Sequence, residues 1–197
     1  MTINIAAMSL DQNGRAGKLT AANNDFVTIP VQASIAPGAT QNFRVQYVGA
    51  ATLSSSRLFQ YSIDQLPIQP APGAASQIQI VYSVSGFMAV APIEGRSAMA
   101  VTGTGVTTDR AGKRHATVTF ANRGTRHALI SRGSLTVRQV GPSGETVWRQ
   151  SLNAARIDKE VGLGIVPANG SRTITLPYDL PAAGGAIKAE YDNGRQK

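Results

Sequence analysis

Cysteine is absent from all 197 residues, which excludes disulfides, thiolate-ligated zinc and thiol catalysis together. Aromatic residues make up only 6% of the chain and include a single tryptophan, Trp148, on an alternating segment where core packing is the expected role. Histidine occurs twice, at His115 and His127, and that spacing with no adjoining carboxylate cluster fits no compact metal site. Asp109 lies near the first of them, yet no G-x-S-x-G elbow accompanies the pair. The glycine pairs Gly103/Gly105 and Gly162/Gly164 open no phosphate-binding helix and read as bends or bulges. The expectation is a non-enzyme with no catalytic residues, no metal and no cofactor. No apolar run approaches the eighteen or so residues of a membrane-spanning helix, so no membrane insertion is expected.

Hydrophobic residues reach 42%, enough for a substantial core. They recur in short alternating segments punctuated by Gly, Pro and Asn, and no stretch of a dozen residues has a helical stripe, which predicts an all-β chain. Strands are expected near 2–9, 26–34, 40–47, 57–64 and 77–91, and again near 97–102, 115–121, 134–140, 145–151, 171–176 and 186–191. Turns are expected at Asp11 to Gly14, at Ala36 to Gly38, and at Gly141-Pro-Ser-Gly144, the last a hairpin signal. The Pro- and Gly-rich loop from Pro67 to Ser76 is expected to be mobile. The break at Pro92 divides the chain into a domain over 1–92, a hinge over 93–96 and a domain over 97–197, two β-sandwiches in tandem. The first begins inside an extended segment and has few strands for a sandwich, so it is expected to lack its N-terminal strands. The missing leader then says nothing about compartment.

The net charge of +8 is uneven. From Ile93 onward there are fifteen basic and eight acidic residues, against four and three before it, so the second part carries +7 of the total. The arginines are scattered and accompanied by neither aromatic pairs nor a recognition helix, so no nucleic-acid partner is expected. A soluble basic surface, or steering of acidic protein partners, fits this charge.

One strand is anomalous. QIQIVYSVSGFMAVAP, from Gln77 to Pro92, places Ile78, Ile80, Tyr82 and Val84 on one face and polar residues on the other. At roughly fourteen residues it exceeds the usual five or six. It offers more apolar side chains than one sandwich core takes up.

Three segments resemble, in order and spacing, the periplasmic chaperones of the chaperone-usher pathway: IAPGATQNFRVQY (35–47), SRLFQYSIDQLPI (56–68) and the strand from Gln77. A looser similarity continues through HATVTFANRGTRHALISRGSLTV (115–137) and IVPANGSRTITLP (165–177). The resemblance implies two immunoglobulin-like domains, a periplasmic location, and pilus subunits and an outer-membrane usher as partners. It also implies a mechanism, in which the long strand is lent to a subunit that lacks one and alternate side chains plug the subunit's open core. By alignment Ile78, Ile80 and Tyr82 are the donated plugs, with Val84 next on that face. Phe59, Tyr61 and Ile63 on the neighbouring strand are expected to belong to the domain's own core. Family members anchor the subunit's terminal carboxylate with two basic residues. Here the first falls on an absent strand and the second aligns with Phe87, which leaves Arg57 and Arg44 as candidate anchors. An exposed apolar edge of this kind also invites self-association. The alternative reading is an extracellular adhesive or carbohydrate-binding sandwich.

Overall fold

The computed structural model describes residues 1–67, 80–181 and 184–194. It is built from antiparallel strands with one short helix. Two compact units emerge, one formed by Met1–Ser9, Gly17–Leu53 and Arg57–Val90, the other by Leu10–Ala16, Ser54–Ser56 and Ala91–Lys197. Two segments of the expected first domain thus group with the second unit.

In the first unit, β1 (Thr2–Met8), β2 (Thr20–Ala21), β5 (Arg57–Asp64) and β6 (Ser83–Val90) form a sheet in the order β2-β1-β5-β6. A separate hairpin pairs β3 (Phe26–Ile29) with β4 (Arg44–Tyr47). Alternation directs Ile5 and Phe59 from the sheet onto Phe26, Val45 and Tyr47 of the hairpin. The core is aromatic: the Phe26 ring stands edge-on to Phe59 with centroids 4.8 Å apart, and Tyr47 lies 5.3 Å from Phe26. The strand expected over 26–34 stops at Ile29, before Pro30, which has no N–H to continue a ladder. That expected over 40–47 begins only at Arg44, after the turn closed by Ala39 N–H donating to the Ala36 carbonyl.

The second unit holds a sheet of β13 (Gly170–Asp179), β8 (Arg114–Asn122) and β7 (Met99–Thr108) and another of β11 (Thr146–Leu152), β10 (Ser134–Val140) and β14 (Ala186–Asp192). A short pair joins β9 (Ala128–Leu129) to β12 (Ile165–Val166). Val118 and Phe120 of β8 and Leu176 of β13 share one fully buried cluster with Leu135 and Val137 of β10 and Leu152 of β11. Trp148 packs against this core as expected. The turn at Gly141 to Gly144 closes the predicted hairpin, with Gly141 N–H donating to the Glu145 carbonyl and Gly144 at φ 87°. A bulge between Val101 and Gly103 falls at the first glycine pair.

The helix α1 (Ala154–Glu160) has no counterpart in the sequence expectations. Asn153 caps it, its side chain accepting from the Arg156 N–H at 2.9 Å, and only Ile157 is buried. One buried position in two turns makes no stripe.

Candidate functional site

The strand expected from Gln77 to about 91 is paired only over Ser83–Val90, eight residues rather than roughly fourteen. The reason lies in its partner. β5 runs antiparallel to it and ends at Asp64, and Pro67 soon after cannot donate to a ladder. One further rung forms without a strand: Gln65 N–H donates to the Tyr82 carbonyl at 2.9 Å, and Tyr82 N–H donates to Gln65 Oε1 at 3.3 Å. Ile80 and Val81 therefore lie past the end of β5. Ile78 and nearly all of the 67–76 loop fall outside the described residues.

β6 is an edge strand, hydrogen-bonded to β5 on one side and unpaired on the other among the described residues. Its register with β5 and β1 sets up three rows on the core-facing side of the sheet: Ala7, Phe59 and Met88; Ile5, Tyr61 and Gly86; Ile3, Ile63 and Val84. Burial fades along and across them. Phe59 is fully buried, Tyr61 and Ile63 are half-buried, and Val84 is 63% exposed. Continuing the alternation, Tyr82 and Ile80 are each 66% exposed. The Tyr61 ring lies across Gly86, filling the place a side chain would take on β6. Beside this fading edge, Ile3, Phe43, Val45, Tyr61, Ile63 and Met88 line a cleft of about 290 Å³, which sequence reasoning missed because its walls come from four separate segments.

Asp64 fastens the start of β6. Ser83 Oγ donates to its Oδ1, while Asn4 Nδ2 at 2.9 Å and Ser62 Oγ at 2.8 Å donate to its Oδ2. These bonds, that from Ser83 foremost, hold the carboxyl below the usual carboxylate range. The apolar run thus leaves the sheet from a fixed base.

The candidate anchors differ. Arg57 pairs with Asp25 at 3.0 Å and lies over the Phe59 ring, 5.0 Å from its centroid, so its guanidinium is already engaged within the unit. Arg44 is exposed opposite Ile29 and makes no ion pair among the described residues. Phe87 is 57% exposed on the other face of β6, in register with Gln60 and Ala6. In the second unit, His115 bridges Asp109 (Nε2 to Oδ2, 3.3 Å) and the Tyr178 carbonyl (Nδ1, 3.1 Å), a contact that ties the two ends of the β7–β8 turn to β13.

Among solved structures the chain aligns over 96% of its length with two, each at TM-score 0.50. One belongs to a chaperone–tip adhesin complex vital for synergistic activation of CFA/I fimbriae biogenesis, at 10% identity over 83% of that chain. The other is the class 5 fimbriae chaperone CfaA, at 9% identity over 84% of that chain. No family model and no curated protein matches by sequence. At these identities the agreement is one of fold: the chain has the all-β fold of the fimbrial chaperones.

Proposed function

We propose that this chain is a periplasmic chaperone that binds fimbrial subunits by lending them the edge strand β6 and its N-terminal extension, and hands them to an outer-membrane usher. One observation carries the reading. On a chain with the fimbrial-chaperone fold, Ile80, Tyr82 and Val84 stand exposed in alternation on an edge strand and the segment leading into it, whose base is fastened and whose outer part has no partner strand among the described residues. An incomplete subunit sheet supplies what that segment lacks. Its backbone would pair with the free edge, and the alternate side chains would enter the subunit's open core at about 1.5 to 3 kcal/mol for each large one fully buried. Ile78 extends the same alternation by sequence. That a neighbour in fold is part of a chaperone–tip adhesin complex supports a subunit as the partner. Without a subunit, the same edge is open to a second copy of the chain.

Arg44 is the better placed of the two anchor candidates for a subunit carboxylate, since Arg57 would have to leave Asp25. The test is co-production of the chain with a panel of fimbrial subunits followed by size-exclusion chromatography. A stable one-to-one complex with at least one of them is expected. Elution of every subunit as aggregate or free protein, with the chain unaccompanied, contradicts the proposal.

A further inference from the structure

The outward face of the sheet β11-β10-β14 carries a row of cations. The register sets Arg138 of β10 directly opposite Arg149 of β11 on one side and opposite Lys188 of β14 on the other. All three are on the solvent side, since their neighbours Val137, Leu152 and Ile187 are buried on the other face. Strands lie about 4.8 Å apart, so the row spans about 10 Å. Like charges directly opposite each other on a sheet destabilise it. Only Arg138 is compensated: its Nη2 donates to Glu190 Oε1 at 3.2 Å. Arg149 and Lys188 make no ion pair among the described residues. In the adjoining row Thr136 and Ser151 bring their hydroxyls within 3.1 Å of each other, adding hydrogen-bonding groups beside the cations.

We propose that this face is a docking surface for an acidic protein segment, one presenting a short cluster of carboxylates to the Arg149–Arg138–Lys188 row. Three arguments favour that occupant. The row already takes a carboxylate, at Arg138. Its short span matches a few adjacent carboxylates rather than a long polyanion, whose binding draws on many phosphate contacts. It also sits beside an open edge, because β11 pairs only with β10 among the described residues and leaves backbone groups for an approaching segment. The excess positive charge lies from Ile93 onward, the part of the chain that holds this sheet, and steers an acidic partner toward it. This surface belongs to the second unit and β6 to the first, and the proposal does not depend on strand donation.

The test is fluorescence anisotropy of a labelled oligoglutamate peptide titrated with the full chain at low and at physiological salt, alongside sedimentation with phosphatidylglycerol vesicles. Oligoglutamate should bind and weaken with salt. Arg149→Glu/Lys188→Glu should weaken it by about tenfold or more. Arg110→Glu/Lys159→Glu, which makes the same charge change outside the row, should cost less than about twofold. Thermal melting checks the fold, and the first double variant should melt no lower than the parent, because it turns two repulsions into attractions. If it misfolds, Arg149→Gln/Lys188→Gln replaces it, with loss of binding again expected. Equal losses from both pairs would reduce the effect to net charge and overturn the proposal. So would no oligoglutamate binding at all, or row-dependent binding of the vesicles without binding of the peptide.

Discussion

Replacing Ile80 and Tyr82 together with aspartate should abolish capture of a fimbrial subunit and leave the melting of the free chain unchanged. The two halves of this expectation have separate causes. In the free chain both side chains are 66% exposed, so a polar substitute forfeits little packing. In a complex each would be buried in the subunit's core, and losing two large apolar plugs removes about 3 to 6 kcal/mol. At 1.4 kcal/mol per tenfold, affinity falls by roughly two to four orders of magnitude. Placing a carboxylate in an apolar core adds to that loss. Ser85 offers the control. It faces Ser62 on the opposite side of the sheet, so Ser85→Asp should change capture far less. Capture of a subunit by the Ile80→Asp/Tyr82→Asp variant at parental strength would rule out donation through this face.

The second large effect concerns the platform on which β6 rests. Phe59→Ala should unfold the first unit at a much lower temperature and leave the second unit's transition in place. Phe59 is fully buried and is contacted by the rings of Phe26 and Tyr47, with centroids 4.8 and 6.3 Å away. Few other residues of this unit are buried with it: Ile5, Ala22 and Phe26 complete the cluster. Truncating a buried phenylalanine costs about 3 to 5 kcal/mol, a large part of the roughly 5 to 15 kcal/mol that stabilises a domain. For a unit of this size, that lowers the midpoint by about 12 °C or more. Scanning calorimetry should therefore resolve one displaced and one unchanged transition. A single transition shifted by only a few degrees would mean that the aromatic cluster is not what holds the sheet and hairpin together.

Alternation was enough to find the strands long enough to have a period. β5, β8, β10 and β11 fall within a residue of their expected limits, and Phe59 is in the core. The two-residue strands β2, β9 and β12 were invisible, because two residues carry no alternation. The helix α1 escaped for a related reason, with its cap at Asn153 legible but its single buried Ile157 not. The anomalous strand illustrates a different limit. Alternation from Gln77 to Val90 is a property of the segment itself, whereas pairing depends on the neighbour, and β5 gives out at Asp64. Nor does a sequence tell whether a face is covered. Ile63 and Val84 stand in one row, half-buried and exposed respectively, because the core beneath them ends there. Residue type also does not show what a cation already pairs with: Arg57 meets Asp25, from a distant segment, at 3.0 Å.

Hydrogen–deuterium exchange of the chain, free and in complex with a captured fimbrial subunit, tests strand donation most directly. The amides from Ile80 through Val90 that face away from β5 have no partner strand among the described residues, so they should exchange fast in the free chain and become protected in the complex. Protection confined to other parts of the chain, with 80–90 exchanging as fast in the complex as in the free protein, would contradict the account.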